Sequence, residues 1–315
     1  MHYSDVVMGI DTSNYTTSVA LVTLDGDIIA NLRKQLPVKP GEVGLRQSDA
    51  VFAHIKNLPY IMDEAKAVLG GRQPVAVGVS TRPRNLEGSY MPCFLSGVAS
   101  AHGISASVGI PMYEFSHQCG HIMAALHSCG AEDRVGDNCA AFHVSGGTTE
   151  LVRVKKTAEG FIADLVGGTN DLNAGQVIDR IGVHMGIPFP AGPGMQECAL
   201  RYSGRVEKKK ISVSGMNANL SGLENMAKKM YREYDDPGMV GAFVFDYVGR
   251  TLDAMRSAYE DTYGASDFIF GGGVMSNSII REILSKHPRS YFADPALSSD
   301  NAVGIAVLTK NAYLS

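Results

Sequence analysis

The chain has 315 residues, enough for two domains that each bury a core. Its 45% hydrophobic and 19% charged content excludes a disordered chain. A formal net charge of −4 excludes a bulk polyanion binder, so any nucleic-acid contact would need a local basic patch.

The chain enters at once the apolar run Val6-Val7-Met8-Gly9-Ile10, so no secretory leader is expected. Residues 6–35 read as a hairpin plus a third strand, with Asp25-Gly26 as the intervening turn. From Gln47 to Leu69 the pattern is helical, with Val51, Ile55, Leu58, Met62, Ala65 and Leu69 on one face. Pro59 inside it predicts a kink. Residues 74–80 form a buried strand pattern, followed by the polar loop 81–88. Met91 to His102 reads as a helix rich in small residues, leading to the short strand 111–115 and a helix from about Ser116 to His127.

Residues 138–154 carry a second hairpin, and Phe161 to Val166 a further strand. Leu172 to Met185 is helical and is followed by a Pro/Gly loop at 188–194. Residues 205–213 read as exposed strand or loop, and 221–234 and 241–263 as helices. Residues 267–274 form a buried strand running into glycines, and 276–285 continue as a helix. Tyr291 to Ala293 is a short strand, and Ser299-Asp300 caps a last apolar helix from Ala302 to Tyr313. No run approaches the roughly 18 apolar residues of a membrane span. Five cysteines without CxxC spacing fit a reduced, cytoplasmic protein.

The turn Ser145-Gly146-Gly147-Thr148-Thr149 lies between apolar strands and needs positive φ, which glycine supplies. A near copy runs from Met8 to Val22, with Asp11 to Thr17 as its polar turn. Two such hairpins, each followed by helices and strands, predict an α/β protein of two related halves. The expected division is 1–111 with 295–315 against 112–294, with a nucleotide cleft lined by the Gly/Ser/Thr turns.

His117 and His121 are spaced i, i+4, which puts both imidazoles on one helix face as a divalent metal needs. Gln118 stands where a zinc protease would carry its general-base Glu, so proteolysis is not expected. Two cleft histidines without a metal fit the same spacing; His127 is a nearby decoy, and Asp300 is one candidate third ligand. The glycines Gly271 to Gly273 after a strand let backbone approach an anion, without a Rossmann or P-loop pattern. Asp179 on an otherwise apolar helix can accept ribose hydroxyls or pair with a cation such as Arg180. Lys208 to Lys210, with Lys228, Lys229 and Arg232, are solvated faces or the sites for a polyanion.

Together these segments resemble the TsaD/Gcp family of tRNA threonylcarbamoyladenosine synthases, within the actin/hexokinase/heat-shock-ATPase (ASKHA) superfamily. The resemblance rests on Gly9-Ile10-Asp11-Thr12-Ser13, His117 to His121, Val144 to Thr149, Leu172 to Arg180 with Pro190 to Pro193, Ser221-Gly222-Leu223, Gly272 to Asn277, and Ser299-Asp300-Asn301-Ala302. It implies a duplicated ASKHA fold with two related subdomains. It implies that His117, His121 and Asp300 hold one iron or zinc ion. Ser145, Gly146 and Gly147 would bind an adenylate, with Asp179, Gly192, Gly272, Gly273 and Asn277 around its ribose and adenine. The implied cofactors are one divalent metal and an adenine nucleotide: threonylcarbamoyl-AMP, AMP or ATP. The implied activity passes a threonylcarbamoyl group to adenosine of tRNA, with a related ASKHA subunit and a small ATPase as partners, and no membrane.

The chain also departs from that family. Tyr15 and Thr16 stand where its opening turn carries an Asp-Glu pair, and Thr81-Arg82-Pro83-Arg84-Asn85 replaces its TAGPG loop. Asp11, Tyr15, Thr16, Arg82 and Arg84 are therefore the candidate acceptor-side residues, and the catalytic group is open. A carbamoyltransferase acting on a small acceptor and a non-catalytic nucleotide-binding partner subunit remain as alternatives.

Overall fold

A computed structural model of the chain describes residues 5–13, 15–37, 45–134, 138–157, 160–297 and 300–315. In chain order the elements are β1 (Val6–Thr12), β2 (Thr16–Thr23), β3 (Ile28–Gln35), α1 (Gln47–Leu69), β4 (Ala76–Arg82), α2 (Phe94–Val108), β5 (Met112–Ser116) and α3 (His117–Ser128). There follow β6 (Cys139–Val144), β7 (Thr149–Thr157), β8 (Gly160–Thr169), α4 (Ala174–His184), α5 (Gly192–Arg201), β9 (Val213–Ser214) and β10 (Asn217–Ala218). The chain ends with α6 (Ser221–Tyr234), α7 (Pro237–Tyr263), β11 (Asp267–Gly271), α8 (Ser278–Leu284), β12 (Ser290–Phe292) and α9 (Val303–Leu314).

Contacts divide the chain into two compact units. Unit 1 comprises the described residues of 1–132, 156–163 and 296–315; unit 2 comprises those of 133–155 and 164–295. The first boundary thus falls after residue 132 rather than 111, because α3 packs on α9.

Unit 1 is built on a five-stranded sheet of order β3-β2-β1-β4-β5. β1 pairs antiparallel with β2 and parallel with β4, with Gly9 opposite both Ala20 and Gly78. Every residue of β1 and β2 is buried. Such strands need apolar cover on both faces. Val19, Leu21 and Val79 share one core cluster with Leu58, Ile61 and Ala65 of α1. α3 and α9 pack together, and α9 lies along β1, β2 and β4.

Unit 2 has the order β12-β11-β6-β7-β8-β10-β9. Its first five strands repeat the pattern of unit 1: an antiparallel pair, a third strand beyond it, and two parallel additions on the other side. The duplication expected from the two hairpins is therefore present in the topology. Phe142 and Phe270, neighbours in register, stack with ring centroids 5.2 Å apart. They join the buried face of α7 in the core.

Several local expectations need correction. On α1 the buried stripe is rotated: Ile55 is exposed, while His54 and Asn57 are buried. The two polar residues face inward because Thr17 on β2 takes a hydrogen bond from Asn57 and bonds His54 Nδ1 at 2.8 Å. The helix is continuous through Pro59. α2 begins at Phe94 and runs on to Val108, where Gly109 takes a left-handed φ of 75° and ends it. The Pro/Gly loop turns into α5, whose first turn accommodates Pro193 because proline's fixed φ suits that position. Neither Gly146 nor Gly147 takes positive φ. Their turn is closed by Ser145, whose Oγ accepts from the Thr148 amide and whose own amide donates to the Thr148 carbonyl at 2.7 Å. The last helix starts at Val303, and its amide is capped by Asn301 Oδ1; Ser299 lies outside the described residues.

Candidate functional site

Unit 1 brings His117, His121 and Asp300 together. Both histidines stand on the first turns of α3, which starts where Ser116 Oγ accepts from the Cys119 amide. Asp300 precedes α9. The two Nε2 atoms are 3.0 Å apart, and Asp300 Oδ1 lies 3.2 Å from Nε2 of His121 and 3.7 Å from that of His117. Two imidazoles and a carboxylate suit a divalent transition metal, and donors at about 2.1 Å from one ion are about 3.0–3.5 Å from each other. The donor set and its spacing therefore fit one ion.

Behind His117 lies Asp11 of β1, which is 1% exposed. Asp11 Oδ1 accepts from His117 Nδ1 at 2.9 Å and from the Ser80 hydroxyl of β4. Burial works against a charged His117, but the charge and hydrogen bond of Asp11, with help from Asp300, outweigh it and raise its pKa to about 9. Burial likewise opposes ionisation of Asp11, and His117 and Ser80 override it, so its pKa is lowered. A cation held at Nε2 would replace the proton there, with Nδ1–H kept on Asp11.

The other acceptor-side candidates surround this centre unevenly. Arg82 pairs in register with Ser116 and donates to Thr81 Oγ1, so it borders the start of α3. The loop is tied to α3 by the Gln118 amide donating to the Pro83 carbonyl and by Asn85 Nδ2 donating to Cys119 Sγ. The Arg84 amide donates to Ser89 Oγ. Tyr15 is exposed, whereas Thr16 is buried in β2. His127 is taken up elsewhere: its Nδ1 donates to Glu132 at 2.7 Å.

Unit 2 holds a pocket lined by Gly146, Asp179, Gly192, Gly273 and Asn277, all expected from the sequence. Ser145, Gly147 and Gly272 are not among its lining residues. Gly272 has a different role: at φ 94° it packs on Val144, and a Cβ there would lie 2.7 Å from the Val144 carbonyl carbon. Asp179 Oδ1 accepts from the Ala191 amide at 2.8 Å. Asn277 Oδ1 caps α8 through the Ile279 and Ile280 amides.

The walls include Ile178, Phe245 and Val274, apolar surface suited to a planar base. Gln196 also lines the pocket, and its Oε1 accepts from the Ser278 amide at 2.9 Å. Neither Phe245 nor Gln196 stood out in sequence. Phe245 lies within a helix of apolar residues, and Gln196 follows directly on the Pro/Gly stretch 188–194 with no pattern of its own. Asp171, also unexpected, accepts from the Leu220 and Ser221 amides and the Ser221 hydroxyl, and so fixes the start of α6.

Among the described residues no helix is long and apolar enough to cross a membrane, and all five cysteines are free thiols. Lys228 and Arg180 both pair with Glu224, at 2.6 and 3.0 Å.

The model of the family TsaD, tRNA N6-adenosine threonylcarbamoyltransferase, matches residues 33–307. The chain is 27% identical to the tRNA N6-adenosine threonylcarbamoyltransferase of Corynebacterium diphtheriae, covering 96% of this chain and 91% of the relative. It is 23% identical to that of Methanopyrus kandleri, covering 96% and 86%. Among solved structures it is similar to HypF of T. kodakarensis, with a TM-score of 0.60 at 11% identity over 99% of this chain and 48% of that one. It is also similar to a ROK family glucokinase of Streptomyces griseus, with a TM-score of 0.54 at 13% identity over 97% and 99%. These structural likenesses establish the α/β ASKHA fold.

Proposed function

Since the chain belongs to the TsaD family of tRNA N6-adenosine threonylcarbamoyltransferases, we propose that it is a metal-dependent, adenylate-binding transferase that passes the threonylcarbamoyl group of threonylcarbamoyl-AMP to adenosine of tRNA. The observation that carries this reading is the convergence of His117, His121 and Asp300, whose ligand atoms all lie within 4.8 Å of one another. These residues would hold one iron or zinc ion. When bound, that ion supplies Lewis-acid stabilisation of negative charge on oxygen as AMP leaves.

The pocket of unit 2 takes the adenylate. Ile178, Phe245 and Val274 cover the base, and the Asp179 carboxylate accepts ribose hydroxyls through the oxygen that Ala191 does not use. In the reaction the exocyclic amine of adenosine attacks the carbamoyl carbon. The bond from that carbon to the phosphate oxygen breaks, and the amine loses one proton. AMP and the modified adenosine are the products.

A second reading is favoured by Tyr15 and Thr16. No carboxylate occupies either position of the opening turn, and Arg82 borders the start of α3. On that reading the acceptor is a small molecule rather than tRNA.

Mass spectrometry of ligand carried through native purification, with metal analysis of wild type and His117→Ala, tests the binding part. One metal ion per wild-type chain, little in the variant, and a bound adenine nucleotide are expected. Equal metal content in both proteins overturns the metal centre. A chain that neither retains nor binds adenine nucleotide overturns the pocket assignment.

A further inference from the structure

Among the described residues, Asp11 is the only carboxylate side chain that is buried. Taking a carboxylate out of water is costly unless charge and hydrogen bonds compensate it. Here the compensation is one-sided. His117 Nδ1 and the Ser80 hydroxyl both donate to Oδ1, and Oδ2 makes no hydrogen bond. The fold places this group on β1, the central strand of its sheet, and holds it from the adjacent strand β4. It lies on the Nδ1 side of His117, away from the Nε2 atom that meets His121 and Asp300.

An ionised carboxylate can only accept, so Nδ1 must carry the hydrogen. That leaves Nε2 as the atom that turns a lone pair to the cation once the proton there is displaced, and it fixes the ring plane. Metal-bound histidines owe both their orientation and their donor strength to such a partner. We infer that Asp11 is a positioning residue for the cation: it holds His117 in the Nδ1–H form, aims Nε2 at the point shared with His121 and Asp300, and supplies a buried negative charge that the cation balances. This rests on the metal-centre reading above. It gives Asp11 a place behind the ligands, in contrast to the acceptor-side role expected from sequence, and Ser80 becomes the residue that steadies it.

The test measures Co(II) and Zn(II) binding to the full chain by competition with a chromophoric chelator. The visible spectrum of the Co(II) form and a urea midpoint are recorded alongside. Asp11→Asn keeps the shape and an oxygen acceptor but removes the charge. Its dissociation constants are expected to rise about 10–100-fold, with altered Co(II) absorption bands and a cooperative urea transition. Ser80→Ala is expected to weaken binding several-fold in the same direction, and His117→Ala to abolish it.

A folded Asp11→Asn protein that binds both ions as tightly as wild type overturns the inference and leaves the metal centre standing. Wild type that binds no ion overturns the metal centre itself. If Asp11→Asn does not fold, Ser80→Ala decides: weakened binding supports the inference, and wild-type binding overturns it.

Discussion

Gly304→Ala is the substitution that most directly joins the packing of unit 1 to the proposed metal centre. α3 and α9 cross at Gly120 and Gly304. A Cβ on residue 304 would lie against the Gly120 carbonyl, 2.7 Å from its carbon and 2.7 Å from the Ala124 amide nitrogen. Ordinary contact is about 3.5–4.0 Å, so the helices must part by roughly 1 Å. Gly120 is equally tight, since a Cβ there would meet Ile305 Cδ1 at 2.9 Å. Overpacking of this kind costs about 1–3 kcal/mol, and backbone on the receiving side puts this case near the upper end.

The same shift reaches the site, because His117 and His121 flank Gly120 on α3 while Asp300 precedes α9. Oδ1 lies 3.2 and 3.7 Å from the two Nε2 atoms, and another ångström removes it from the reach of a shared ion. Urea unfolding and Zn(II) titration of the same preparations give both readings. The expected result is a loss of about 2–3 kcal/mol together with weaker zinc binding. Gly103→Ala on α2, where a Cβ meets nothing within 4 Å, is the control and is expected to be neutral or slightly stabilising. Wild-type stability and zinc affinity in Gly304→Ala would show that the α3–α9 crossing does not set the geometry of the site.

Three further outcomes follow from other parts of the molecule. Because His117 is held protonated up to about pH 9, an incoming cation must displace a proton. Zinc affinity is therefore expected to rise about tenfold per pH unit below that value and level off above it, as a titration series from about pH 6 to about pH 10 would read.

Glu132 accepts from His127 and pairs with Lys310, which together outweigh burial and hold its pKa down to about 2. A carboxylate whose folded pKa is depressed stabilises above its unfolded value and loses that contribution as pH falls. Glu132→Gln is thus expected to lose on the order of 2 kcal/mol at pH 7 after allowance for solvent screening, with the gap to wild type closing between pH 4.5 and 2 in urea titrations. A gap that stays constant over this range would sink the assignment.

In unit 2, Gln196→Leu removes the acceptor of the Ser278 amide at the pocket wall. Fluorescent adenine-nucleotide binding is expected to weaken about tenfold while zinc binding stays at the wild-type level.

How far the sequence reveals this molecule depends on whether a signal is local. The spacing of His117 and His121 is local, and it points to the face that the structure assembles. The duplicated hairpins are local too, and their order carries over to the two sheets. The exposure of Ile55 and the burial of His54 are not local. Apolar periodicity alone favours Ile55, and only the presence of Thr17 opposite makes the polar face the inner one. Asp11 could be read as a turn residue open to an acceptor, because its burial depends on Ser80, 69 residues away, and on His117. The Gly120–Gly304 crossing leaves no periodic trace, since each glycine is ordinary in its own helix. Gln196 follows a loop pattern that continues into α5, so its place in the pocket becomes visible only when the fold brings Ser278 to it.

The most direct measurement of the central claim is transfer itself. Metal-loaded full chain is combined with threonylcarbamoyl-AMP carrying labelled threonine and with unmodified tRNA, in the presence of the partner subunit and small ATPase that the family resemblance implies. Nucleosides of the recovered tRNA are then analysed by mass spectrometry. Labelled threonylcarbamoyladenosine is expected with the wild-type chain and none with His117→Ala. Unmodified tRNA from a wild-type chain shown to hold both metal and nucleotide would contradict the proposed transfer.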